Sequence, residues 1–373
     1  MTLTRCFAAV TLLCACAWSA HANDQDDATY DQAVRYLLSQ QRDDGGFGDP
    51  RGSELGITAI AVKALAKVPA HLHEEVEPKL ARAVEFILAA RQEDGSFVQG
   101  NMGIPTYRTA VAISALAAVD REAHKEAIAQ GAAYLTGNQI DEDEDVAPGD
   151  PRYGGFTYGK AGQSRGGRGA DLSNTHMAVS ALKDAGIAED DPVFQRVLTF
   201  VHRCQNDSEV NDGVGFAPKD DGGFVYNPVS KGEAVDSYAG MTYSGLLSLV
   251  HAGASLDSPS VKSALRWIAA HYTLERNEGL GSRPREGTDQ SGLYYYYYVF
   301  AKCLAALGKP TVATEGGEQR WARDLFDALA ARQQDDGSFV NSDPRWWESN
   351  PVLATAYAVH AMNDARPFLA QGQ

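Results

Sequence analysis

A seven-residue phrase, Gln333–Phe339 (QQDDGSF), keeps returning along the chain, and any fold must place its copies alike. Gln40–Phe47 reads QQRDDGGF, Arg91–Phe97 reads RQEDGSF, Tyr153–Phe156 reads YGGF and Asp220–Phe224 reads DDGGF, with Asn277–Leu280 (NEGL) as a worn copy. Successive copies lie roughly 50 to 70 residues apart, the period range of repeat architectures. An apolar helical segment precedes each copy, as at Ala33–Gln40, Ala83–Ala90 and Leu325–Arg332. Glycine is expected to end that helix, because it enters the left-handed conformation without a Cβ clash. The aromatic that follows can then fold back over the helix end.

A second helix follows each loop, and here the copies align residue for residue. Thr58, Thr109, Thr175, Thr242 and Thr355 share a place that Tyr297 fills in the fifth copy. Three residues on stand Ala61, Ala112, Ala178, Gly245, Phe300 and Ala358, and seven on stand Leu65, Leu116, Leu182, Leu249, Leu304 and Met362. These offsets share one helix face, and the small residues would let another helix approach closely. The reading is all-α, with six helix hairpins spanning about 30–68, 77–120, 122–188, 192–254, 259–307 and 319–363. Pro69 and Pro78 punctuate the first join, where helices should stop. Copies three and four carry expansions, 141–170 and 206–233, on the same connection of the hairpin. They should therefore share one end of the molecule, where functional loops tend to collect.

Residues 1–22 stand outside this scheme. Arg5 precedes an apolar run from Phe7 to Trp18, and Ala20-His21-Ala22 offers a small-x-small cleavage site. That pattern predicts a secretory signal peptide and export to the periplasm or beyond, with 23–373 as one mature domain. A lipoprotein signal acylated at Cys16 is the alternative. No later segment is long and apolar enough to span a bilayer. The formal net charge of −16 argues against nucleic acid or anionic membrane surfaces as partners. Cys204 and Cys303 are the cysteines that survive cleavage, too few for a disulfide framework or a metal-type spacing. They read as buried small residues.

The DG[GS]F loops resemble the Q-W motifs of the prenyltransferase and squalene-cyclase repeat superfamily, with Phe in place of Trp and with Gln41 and Gln333 at the glutamine position. The chain is most similar to secreted bacterial prenyltransferase/squalene-oxidase repeat proteins, through Tyr238–Leu249 (YAGMTYSGLLSL), Gly292–Tyr297 (GLYYYY) and Asn350–Tyr357 (NPVLATAY). That resemblance implies an (α/α)6 toroid, six inner helices around a central cavity and six outer helices around them. It implies no settled reaction. The D-x-D-D acid of squalene-type cyclases is absent, and Asp141–Asp145 (DEDED) reads as a charged loop or a hard-cation loop. The Asp-Cys-His zinc set of protein prenyltransferases is also missing, since Tyr238 stands at the cysteine place after Asp236. The thioester signature echoed at Gly316–Gln319 lacks its cysteine. No metal or other cofactor is expected.

Two groups of residues remain that could bear chemistry. Tyr294–Tyr298 is a run of five tyrosines, which at 100° per residue must go round the helix. Some of these rings are expected to line the cavity, where aromatic faces stabilise cations. Others should be core. The second group is a pool of carboxylates near the starts of second helices: Glu54, Asp171, Asp236, Asp289 and Glu348, beside Tyr107, Arg108, His176 and Trp347. They could supply a general acid and base, or they could be caps and helix-dipole partners. Asp236, Asp171 and His176 are taken as the catalytic candidates. Tyr238, Tyr243, Tyr294, Tyr295, Tyr298, Arg108, Trp347 and Glu348 are taken as the ligand-binding candidates. The leading functional expectation is an apolar, isoprenoid-like ligand in an aromatic cavity, either bound there or transformed. A carbohydrate-directed protein using rim carboxylates and a protein-interaction scaffold are the alternatives. An apolar hollow centre, a polar cleft or a filled core would tell these three apart.

Overall fold

The computed structural model describes residues 25–48, 54–100, 103–159, 169–228, 235–282 and 287–371. The expected signal segment and Cys16 lie outside them. Twelve α-helices occur among the described residues: α1 (25–39), α2 (Glu54–Leu65), α3 (His73–Ala89), α4 (Pro105–Asp120), α5 (Lys125–Thr136) and α6 (Leu172–Ala185) form the first half. The second half is α7 (Pro192–Arg203), α8 (Ala239–His251), α9 (Pro259–His271), α10 (Leu293–Leu307), α11 (Trp321–Ala330) and α12 (Pro351–Leu369). A short antiparallel hairpin, Val312–Thr314 with Gly317–Gln319, bridges α10 and α11.

The even-numbered helices form an inner ring. Each packs on the next, and α12 closes against α2. Their sequences dictate this place: every residue of α2 is buried, as is every residue of α8 from Ala239 to Leu249. A helix apolar all round must be enclosed by other helices. The odd-numbered helices are amphipathic and outer. In α7, Val193, Phe194, Val197, Phe200 and Val201 are buried along one stripe. The all-α toroid expected from the sequence is the fold observed.

The loop motif closes the ring by polar contacts that recur from copy to copy. Gln333 donates its side-chain amide to the Thr29 carbonyl of α1 at 2.8 Å and to the Gly337 carbonyl of its own loop at 3.1 Å. Gln41 bridges Gly45 and Lys79 in the same way. Gln139 bridges Gly154 and Val193, and Gln205 bridges Gly222 and Ser260. The last two glutamines are separated from their glycines by the expansions, which hides them in the sequence. The repeated threonine has an equally plain role. Its Oγ1 accepts the backbone N–H of the loop aromatic, Phe97 to Thr109 at 2.9 Å, with the same bond at Phe47, Phe156, Phe224 and Phe339. Tyr297, which replaces it in the fifth copy, reaches out to donate to the Leu274 carbonyl instead.

Three local expectations need correction. The motif glycine does not end its helix: α7 stops at Arg203, well before Gly222, and glycine serves the turn beyond. At Gly154 (φ +84°) a Cβ would lie 1.9 Å from the Arg196 carbonyl oxygen of α7, so the left-handed turn also presses on the neighbouring helix. Pro78 does not mark a boundary either, because α3 begins at His73 and runs through it. The carbonyl that proline leaves without a donor belongs to exposed Glu74, where water can bond it. Finally, Gly245 is small for the sake of a loop: a Cβ there would meet the Phe224 ring at 2.4 Å.

Candidate functional site

Alternating hairpins make the inner helices parallel, so their N-terminal ends share one rim. A cavity of about 400 Å³ opens there. Its wall takes Ile57 and Ile60 from α2, Tyr107 from α4, Met177 from α6, Met241 from α8, Tyr295 from α10, and Leu353 and Tyr357 from α12. The loops add Tyr158, Tyr226, Tyr238, Trp346 and Trp347, with Ser173, Asn277 and Glu348 as polar members of the wall. Six tyrosines therefore face one apolar space. Their hydroxyls are held by neighbours: Tyr295 lies 3.0 Å from Ser244 Oγ and receives a bond from Ser173, and Tyr107 is hydrogen-bonded to Tyr357. Burial pushes the Tyr107 and Tyr158 hydroxyls up to about 12, so they stay neutral.

The two expansions supply part of the wall. Tyr158 is pinned by its carbonyl to the Thr106 N–H at the start of α4, and Tyr226 by its carbonyl to the Leu172 N–H at the start of α6. Nothing in their spacing singled them out in the sequence. Trp346 also escaped the sequence reading. It and Trp347 take left-handed backbone (φ 52° and 68°) and are 41% and 44% exposed at the cavity mouth. Non-glycine residues at positive φ cost of order 1–3 kcal/mol each, and such strain concentrates at functional positions. The Arg345 guanidinium covers the Trp346 ring at 4.9 Å.

The carboxylates separate by environment. Glu348 lies in the cavity wall, where its oxygens accept the N–H groups of Tyr294 (3.1 Å) and Tyr295 (2.7 Å) at the start of α10 and the Asn341 amide (2.8 Å). Burial raises its pKa up to about 7 against these three donors. Asp171 caps α6 by accepting the Asn174 N–H at 2.9 Å and the Asn174 amide at 2.7 Å, so the cap and site expectations fall on one residue. It sits behind the wall, hydrogen-bonded to the Tyr226 hydroxyl, which is 3.5 Å from that of Tyr158. Burial pushes the Asp171 carboxyl up to about 7 as well.

Other candidates are not brought to the cavity. Asp236 is 48% exposed and ion-paired to Lys219 outside the lining, and Tyr238 rather than Asp236 occupies the N-cap of α8. His176 is fully buried, with neither ring nitrogen bonded, and burial drives its pKa well down, so it is a neutral core ring. Arg108 is buried and donates to the Gln99 carbonyl. Glu54 pairs with Arg42, and Asp289 is absent from the wall. Of the five consecutive tyrosines, Tyr295 alone meets this cavity, while Tyr298 lies beneath it. Tyr294 packs on Phe339, and Tyr296 and Tyr297 point to the Thr273 and Leu274 carbonyls. Tyr243 packs outward on Phe300, with ring centroids 5.0 Å apart. Cys204 and Cys303 are buried and unpaired with each other.

Comparison with known proteins now has a site to bear on. The family model described as the prenyltransferase alpha-alpha toroid domain matches residues 9–103 and 174–342, well over half of the chain. The chain belongs to this prenyltransferase toroid family. No curated protein sequence matches it. Among solved structures, the toroid is similar to the type II terpene cyclase MstE from Scytonema. A substituted form of MstE in complex with its product merosterolic acid A aligns with TM-score 0.61 at 16% identity, over 94% of this chain and 99% of that one. A second form, in complex with its substrate geranylgeranyl dihydroxybenzoate, aligns with TM-score 0.57 at 16% identity, over 94% and 99%. A protein from Actinoplanes aligns with TM-score 0.59 at 15% identity, over 91% and 99%. At such identities the likeness is one of fold. It makes this prenyltransferase toroid a relative of terpene cyclases in architecture.

Proposed function

We propose that this prenyltransferase toroid binds an apolar, isoprenoid-like small molecule in the tyrosine-lined cavity. The observation that carries this reading is the cavity itself, hollow, aromatic and largely apolar, in the size range of small-molecule sites. A filled centre would favour a scaffold, and a polar cleft between two carboxylates would favour a sugar. Glu348 is the one carboxylate in the wall among the described residues. Its oxygens are turned to the N–H groups of α10, which suits a fixed polar point for orienting a ligand better than an acid aimed at an alkene. The terpene cyclase MstE binds a geranylgeranyl compound within a similar fold, which supports the ligand class. We further propose that residues 1–22 export the chain, so that the mature protein begins at Asn23.

Titration of the mature protein with geranylgeraniol, followed by the fluorescence of Trp346 and Trp347, tests the reading. Saturable quenching that is lost in a Trp346→Phe/Trp347→Phe pair locates the signal at the mouth. A response to maltohexaose, with none to geranylgeraniol, would overturn the apolar reading.

A further inference from the structure

The inner helices enclose a second cavity at their C-terminal end, of about 150 Å³ and of opposite character. Lys63, Lys67 and Lys302 converge on it with Asp184 and Asp364. Two of the lysines are neutralised, Lys63 by Asp184 at 2.5 Å and Lys67 by Asp364 at 3.2 Å. Lys63 and Lys67 also lie at the end of α2, where cations complement the helix dipole. Lys302 has neither explanation. It stands five residues before the end of α10, and no carboxylate pairs with it among the described residues. Its Nζ donates to the Tyr298 hydroxyl at 3.4 Å and lies 5.7 Å from the centre of that ring. Desolvation and the charge of Lys63 lower its pKa to about 7.

An ammonium enclosed beside Lys63, with Asp184 and Asp364 acting on it without a direct ion pair, is costly, and an anion in the adjoining space would offset that cost. The cavity reaches solvent beside Lys67, whose side chain is 47% exposed. With the two carboxylates already paired, Lys302 is the group whose charge an anion would complete, and an anion seated there would favour its protonated form. We infer that this cavity is a binding site for a small oxyanion, a phosphate or a short carboxylate, seated on Lys302 Nζ and the Tyr298 hydroxyl. It is independent of the ligand proposed for the aromatic cavity, because the two spaces share no lining residue.

The test is lysine acetylation of the full mature protein by N-acetoxysuccinimide at pH 7.5, quantified site by site by mass spectrometry, with exposed Lys309 as the internal control. Inorganic phosphate or acetate at 10 mM is expected to slow labelling of Lys302 about tenfold and to leave Lys309 unchanged, relative to sodium chloride at equal ionic strength. The protecting anion names the class. Equal labelling under all three salts would overturn the site. Phosphate should also raise the Tm of the native protein but not that of Lys302→Met, in which the side chain keeps its apolar stem. An equal rise in Lys302→Met would overturn the assignment to Lys302, and failure of isoprenoid binding would leave both readouts untouched.

Discussion

Tyr298 stacks on Tyr357 with ring centroids 5.5 Å apart and planes 26° from parallel, and this pair stands between the aromatic cavity and the lysine-lined one. Tyr357 faces the upper space, Tyr298 the lower, and a constriction of about 20 Å³ touches both. The stacked rings from α10 and α12 thus divide the inner barrel, with Ile60 of α2 and Met177 of α6 beside them at the constriction. Truncating one of the rings should join the compartments. Tyr298→Ala is expected to cost about 3–5 kcal/mol in urea unfolding, as large aromatic deletions in cores do. Tyr298→Phe, which keeps the stack and removes the hydroxyl beside Lys302, should cost about 1 kcal/mol.

Asp171 makes stability depend on pH. Its carboxyl titrates near 7 in the folded chain and near ~3.9 when unfolded. Between those values the folded state holds the extra proton, so its contribution is full below about pH 4 and is lost as pH rises through 7, at up to about 1.4 kcal/mol per pH unit. Glu348, also at about 7, adds a slope of the same sign. Asp171→Asn should flatten the profile between pH 4 and 7 and raise stability at pH 8. Asparagine caps about as well as aspartate, and Asn174 has an unbonded Oδ1 with which to accept from the new amide after a flip. Urea midpoints at pH 4, 6 and 8 for both proteins check this.

Gly154 and Gly253 have nearly the same backbone, at φ +84° and +82°. A Cβ at Gly253 meets open space, whereas at Gly154 it falls 1.9 Å from a backbone oxygen of α7. Gly253→Ala should therefore lose about 1–2 kcal/mol, the cost of left-handed strain. Gly154→Ala adds a backbone collision and should lose several kcal/mol or fail to fold. Equal losses in thermal unfolding would mean that the loop does not press on α7.

Asp236→Asn separates the rim from the cavity. The residue is half-exposed and paired to Lys219, so its removal should change stability by less than about 1 kcal/mol. Binding of geranylgeraniol should be unchanged, because Asp236 is outside the lining. Loss of binding in this variant would return Asp236 to the site.

The sequence by itself determined the helix hairpins, while their closure into a ring, implied there by the family resemblance, is made by α12 packing on α2. Five uses of one local rule, a helix, a glycine turn, an aromatic and then a threonine, and a sixth worn copy with Leu280 and Tyr297 each specify the same hairpin, and hairpins that repeat stack on their neighbours. The threonine and the glutamine are legible because each makes a bond within or next to its own repeat, Thr109 to Phe97 and Gln41 to Gly45. The site is different in kind, since its wall joins Tyr158 and Tyr226 from two expansions to Tyr357 from the last helix. No spacing along the chain encodes that meeting. Whether Tyr295 faces the cavity and Tyr294 the outer layer depends on how α10 is rotated. That rotation is set by packing on α8 and α12 and by Glu348 holding the first N–H groups of α10. Asp171 is the N-cap of α6, whereas Asp236 stands two residues before Tyr238, the N-cap of α8. The first is buried against Tyr226 and the second turns to Lys219 in solvent, a choice made by the path of each loop in three dimensions.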